Sequence, residues 1–458
     1  MVAPAKTGAT FFGAGATCDG IIISLRYLRF QEHRMNIWRL VPLATGLCLS
    51  FAQAMAAAPP APTSGAIVSH YAGLAEAMYG DSLEGGRTLQ KSVDAFLAHP
   101  TEQTLSAARA SWKAARIPYL QTEGFRFANT VVDDWEPKVN AWPLDEGLID
   151  YVAPPYGAQS DQNPLYTLDV IANTELRVGA KAIDAGTIDA ALLRQLAEAE
   201  GVQTNVSTGF HAIEFLLWGQ NLQGASGGAG ARPASDYDSS ACTHGNCVRR
   251  AAYLKAAVGL LADDLAAMAA DWRPSGKART ELLSKGPDGG LTEILTGLGS
   301  LTFGEMAGER MKLGLMLHDP EEQQDCFSNN THNSHFYDEA GISELWRGRY
   351  VRSNGSIVQG ANLRDYIAAM DPAAAKRLDD RIDDALAAIK KMKDAADSGH
   401  MAYSQMIAAG NSQGNQMVQD AMDALVAQTR AIENIAALLH LTVASNKSDH
   451  SAKPVGLR

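Results

Sequence analysis

An all-α fold is what this sequence predicts, and three stretches predict it. From Thr101, just after Pro100, apolar or small residues recur three and four apart at Leu105, Ala108, Trp112 and Ala115. That is the spacing of one helix face. Leu378, Ile382, Leu386, Ile389 and Met392 repeat it after Asp371-Pro372. Val418, Met422, Leu425, Ile432, Ile435 and Leu439 repeat it once more. No run of alternating β-branched residues rivals these stretches, so helices packed into bundles are expected.

Taken in order, the chain opens on a segment unlike the rest. Met35-Asn-Ile-Trp-Arg39 reads as a basic n-region, Leu40 to Phe51 as an apolar core, and Ala54-Met-Ala56 as a cleavage site before Pro59, Pro60 and Pro62. This is the plan of a secretory signal peptide, too short to span a membrane as a helix. A signal peptide begins a protein, so residues 1–34 read as an extension ahead of the true start at Met35. Residues 35–56 are then the signal and 57–65 a linker. Cys48 follows Leu47 rather than a small residue. A soluble exported protein, in the periplasm or at the cell surface, is therefore preferred to a lipoprotein.

The 458 residues are 46% apolar and 20% charged, which fits a folded chain with more than one core. A net charge of −12 argues against sequence-independent nucleic-acid binding, which needs a basic surface. Thr101 is an expected N-cap, and Asp371-Pro372 opens a helix that should end near Gly399. Gly- and Pro-rich stretches at Asn221 to Ser240 and Pro274 to Gly290 read as surface loops. Two helical-bundle domains are expected, at 66–200 and 201–445, with a frayed polar tail at 446–458. Cys242-Thr-His-Gly-Asn-Cys247 closes a small loop and is the expected disulfide, leaving Cys326. A bridge from Cys326 to either of them is the competing arrangement. The hexapeptide is neither a c-type haem attachment site nor a zinc-finger ligand set.

Chemistry concentrates at Gly209-Phe-His-Ala-Ile-Glu-Phe-Leu-Leu-Trp-Gly219. On a helix, His211 and Glu214 share a face, and their apolar neighbours point to burial. Buried polar groups need partners, and a metal ion is one. Further carboxylates lie among aromatic residues: Glu123, then Asp145 and Glu146, and in the second half Glu305, four residues before Glu309. Such groups are either metal ligands or acids of raised pKa. Competing roles are helix capping for Asp145 and Glu146, and ion pairing of Glu123 with Arg116 or Arg126. The stretch from Leu317 to Asp338 holds His318, His332, His335 and several carboxylates, but its spacing fits no specific site. It reads as a solvated, Asn-rich loop over helix ends. H-E-x-x-H is absent, and Phe215 after Glu214 excludes H-x-x-E-H.

Gly209-Phe-His-Ala-Ile-Glu214 resembles the G-x-H-x-x-E signature of the imelysin family. Ala141 to Tyr151, Gly304 to Met311 and Cys326-Phe-Ser-Asn-Asn-Thr-His332 resemble its iron-regulated protein A branch, in the same order. The resemblance covers nearly the whole chain after the signal. It implies a duplicated, four-helix-bundle type of fold with the signature near the domain interface. It also implies an exported bacterial protein of iron or haem acquisition, found beside di-haem peroxidase-like and outer-membrane uptake proteins. The signature carries over to His211 and Glu214 alone. Glu123, Asp145, Glu146 and Glu305 are the carboxylates expected to join them around a metal ion. Iron is expected, with zinc and manganese as alternatives, since hard oxygen donors and an imidazole suit these ions. A monomer is expected. The family also carries a metallopeptidase label, so a metal-dependent peptidase is the alternative function, and a haem-binding or interaction protein a third.

Overall fold

The computed structural model describes residues 61–445. The expected extension, signal peptide and tail, and the first part of the linker, lie outside the described residues. Two groups of helices make up the fold. The first contains α1 (Ser64–Ala98), α2 (Glu102–Leu120), α3 (Gly209–Trp218) and α4 (Cys247–Asp271). The second begins with α5 (Gly286–Gly299), which runs on through a π-helical segment, Ser300–Met311, into α6 (Lys312–Leu317). It is completed by α7 (Thr331–Arg347), α8 (Pro372–Asp397) and α9 (Ser412–Leu438).

Local chemistry sets the helix ends. Thr101 caps α2, its hydroxyl accepting from the Thr104 N–H while Thr104 returns a bond to the Thr101 N–H. Asp371 caps α8 through the N–H groups of Ala373 and Ala374, and Pro372, which has no N–H to satisfy, takes the first position. Both caps lie where the sequence places them. Two antiparallel hairpins pack against the helices, the second through buried Tyr350, whose hydroxyl donates to Asp81 of α1 at 3.0 Å. Glu175–Val178 pairs with Lys181–Asp184, Glu175 opposite Asp184, and Arg349–Val351 pairs with Ile357–Gln359, Arg349 opposite Gln359.

In the first group α1 packs on α2 and α4, while α3 packs on both α2 and α4. In the second, α8 lies between α7 and α9, and α9 packs on the π-helical segment. α7 reaches across to α2, and α5 to α1. A division of the chain near residue 200 finds no support in these contacts, because α3 and α4 bury their faces against α1 and α2. Among the described residues no helix is long and apolar enough to cross a membrane. Cys242 and Cys247 are disulfide-bonded, and Cys326 is free and buried.

Two glycines let elements meet closely, one of them at the start of the signature helix. Gly209 opens α3 at φ +83°, and a Cβ there would lie 2.6 Å from the Val139 carbonyl oxygen. Gly297 of α5 would place a Cβ 2.0 Å from the Gly124 carbonyl oxygen. A Gly209→Ala variant should therefore lose stability through both the left-handed backbone and the close contact, by about 1–3 kcal/mol. Chemical denaturation checks this, with a lowered midpoint at unchanged slope as the expected result.

Candidate metal centre

α3 is buried along its whole length, so its two polar side chains must find partners inside the protein. His211 and Glu214 lie one turn apart, with Nδ1 3.0 Å from Oε2 and no solvent exposure at either. The third member comes from the segment before α7. Asp325 Oδ1 lies 3.8 Å from His211 Nδ1, and it too is fully buried. One ligand atom from each of the three falls within 4.8 Å of the others.

Each carboxylate is fixed by its surroundings. Glu214 Oε1 accepts the Ser328 N–H at 2.8 Å. Asp325 Oδ1 accepts from Arg116 Nη2 at 3.0 Å, and the Ser334 hydroxyl donates to Oδ2. The Asp325 N–H donates to Thr331 Oγ1 at 3.0 Å, which bends the loop into α7. Arg116 itself is wholly buried, with its guanidinium within 6 Å of the ring centres of Trp112, Tyr119 and Phe210. Trp142 packs against His211, ring centres 5.2 Å apart.

Burial, then the charge of Arg116, pulls His211 down to a pKa of about 3, so the ring is neutral at pH 7. Burial, then the neighbouring Asp325, pushes the Glu214 carboxyl well up. Burial would also raise Asp325, but Arg116, His211 and Ser334 hold it below its ordinary value. The group thus combines a neutral imidazole, one carboxylate held in its ionised form and one carboxyl whose protonated form burial favours. His211 Nε2 is buried without a partner, an arrangement that costs about 1–3 kcal/mol. One nitrogen and two oxygen donors suit iron, manganese or zinc. Arg116 opposes a cation, yet it also keeps Asp325 ionised and aimed.

The structure brings His211 and Glu214 together and places the other four expected carboxylates elsewhere. Glu123 and Glu305 converge on Arg310 of the π-helical segment, at 2.7 Å and 3.2 Å, with Asp338 of α7 at 3.0 Å. Asp145 accepts from Asn163 at 2.7 Å and Thr204 at 2.5 Å, bracing the connection into α3. Glu146 is pushed up to about 7 by burial and by Glu321. The Leu317–Asp338 stretch is not a solvated loop. Residues 323–328 are buried, and α7 begins at Thr331. Its histidines diverge, His318 to the Ile407 carbonyl at 2.7 Å and His332 to Asp397 at 3.1 Å. His335 packs edge-on against Tyr403, both ring nitrogens unpartnered. Sequence reasoning missed Asp325, whose one visible signal was its place beside the Cys326-Phe327 pair.

A family model described as imelysin matches residues 75–432. The chain belongs to the imelysin family. A curated relative, iron-regulated protein A of Synechococcus elongatus, is 31% identical over 78 residues, which cover 17% of this chain and 22% of that protein. The chain thus spans under a quarter of that relative's length in the match. Two solved structures share the imelysin fold at 15% identity. One is a putative iron-regulated protein A precursor from Parabacteroides distasonis, with a TM-score of 0.59, covering 84% of this chain and 96% of that one. The other is an imelysin-like protein from Psychrobacter arcticum, with a TM-score of 0.52, covering 84% and 98%.

Two outcomes follow from the buried charges. Arg310→Met leaves three carboxylates without their shared cation and should cost about 3–5 kcal/mol, measured by denaturant unfolding. His335, held at about 3 by burial and Arg310, binds fewer protons folded than unfolded. Stability should therefore fall as pH drops from about 6.5 towards 3. Thermal unfolding of His335→Gln across that window should show a shallower decline.

Proposed function

We propose that this imelysin-family protein holds a divalent or trivalent metal ion, iron foremost, at His211, Glu214 and Asp325. The observation that carries this reading is the fully buried convergence of His211, Glu214 and Asp325, one ligand atom of each within 4.8 Å of the others; the other ring nitrogen of His211, Nε2, is buried without a partner. The iron-regulated name of the relatives supports iron over zinc or manganese. The ion would serve binding and carriage rather than hydrolysis, because a peptide bond has no access to donors with no exposed surface. Export fits the Cys242–Cys247 disulfide, which belongs to an oxidising compartment.

In this reading His211 presents a neutral nitrogen, Asp325 the standing negative charge, and Glu214 a proton that leaves as the cation enters. Arg116 and Ser334 orient Asp325. Affinity should therefore rise with pH, and binding should acidify a weakly buffered solution. Iron content after purification, and titration calorimetry with Fe(II), test the assignment. A His211→Ala, Glu214→Ala double variant should retain no bound metal, and Ser334→Ala should bind roughly 10–100-fold more weakly. Equal metal content in the double variant and the natural chain would overturn the site.

A further inference from the structure

A concavity of about 410 Å³ opens where α1, the end of α4 and the second hairpin meet. Gly73, Ala77 and Gly80 line it from one face of α1, and Glu76, Arg273 and Arg352 bring charge to it. Arg352 is held in place by the buried Asp81. One Asp81 oxygen accepts from Arg352 Nε at 3.1 Å and Nη2 at 2.7 Å. The other accepts from the Tyr350 hydroxyl and the Ser353 N–H, at 3.0 Å each. Nη1 of Arg352 is left with no hydrogen-bond partner among the described residues. Arg273 lies just past the end of α4 and is exposed, and its guanidinium has no ion-pair or hydrogen-bond partner among the described residues. Glu76 is already engaged, paired with Arg279 at 2.9 Å.

Two guanidiniums that line one concavity repel each other, and an anion between them reverses the sign of that interaction. The chain carries a net charge of −12, so their convergence is not a by-product of a basic surface. Guanidinium forks match carboxylates bidentately. The glycines point the same way. Gly73 lies in the interior of α1, where glycine weakens a helix. A Cβ there would meet nothing within 4 Å, so no close packing requires it, and a side chain would project into open space. At Gly80 a Cβ would lie 3.5 Å from Arg352 Nη2, so the bare backbone leaves that guanidinium room. The volume lies in the range of small-molecule sites and exceeds the needs of one inorganic ion.

We infer that this concavity binds a small organic anion with two or more carboxylates, Arg352 taking one and Arg273 another, with Gly73 keeping the space open. Asp81 is the positioning residue for Arg352. The site shares no residue with His211, Glu214 and Asp325 and stands whether or not that group binds iron.

Titration calorimetry with tricarballylate, a tricarboxylate, tests it on the full chain, first freed of metal by chelator and dialysis so that the heat reports the anion alone. Saturable binding at one site is expected, weakening as salt is added. Arg273→Gln should bind about 10-fold more weakly or worse. Gly73→Leu, which fills the space without altering charge, should abolish binding while circular dichroism shows its helicity intact. Arg430→Gln, at an exposed arginine of α9, should bind as the natural chain does. Inorganic phosphate should bind more weakly than the tricarboxylate. No saturable heat at about 10 mM tricarballylate, undiminished affinity in Arg273→Gln or in Gly73→Leu, an equal loss in Arg430→Gln, or phosphate binding as tight would each overturn the inference.

Discussion

The centre depends on one buried guanidinium. Arg116, from α2, donates to Asp325 at 3.0 Å and to the Asn140 side-chain oxygen Oδ1 at 2.5 Å with no exposure to solvent. A charge taken out of water is tolerated only when paired and bonded, and here aromatic faces supply further contact. The pair ties the first helix group to the segment that leads into α7. Without it, Asp325 would not face the imidazole, and Glu214 would not feel a neighbouring negative charge.

A polar seam runs on from that contact. Asn140 donates to Glu123 at 3.0 Å, and Glu123 meets Arg310. Arg310 stands on the π-helical segment, a rare geometry that displaces side chains from their α-helical positions and often marks function. From there it reaches Glu305 five residues back and Asp338 on α7. The same seam that orders the candidate centre thus also fastens α5 and its continuation to the rest of the molecule. Its carboxylates serve cohesion, while those of the trio have an imidazole and spare bonding capacity.

Much of this was legible beforehand. Periodicity located α2, α8 and α9, the Thr101 cap followed from a side chain that satisfies free N–H groups, and Asp371-Pro372 marked where α8 opens. The His211–Glu214 pair was readable because two residues three apart on an apolar helix have few places to go. Asp325 was not, since its role comes from folding a polar-looking segment inward. Asn329 and Asn330 resemble loop residues, and nothing local reveals that Glu214 bonds the Ser328 N–H. Glu123 and Glu305 were read as donors because charge and aromatic context do not reveal which cation will be nearest, and that cation proved to be Arg310. The π-helical register has no simple sequence signal either.

Arg116 and Asp325 are separated by 209 positions. Loops of that length close late, after shorter-range helix pairs have formed. The meeting of His211, Glu214 and Asp325 therefore does not exist in a partly made chain, nor in a fragment that lacks either end. Whatever those three side chains do together, they can do it only once the two ends of that loop have met, and so at the place where folding is completed rather than where it begins.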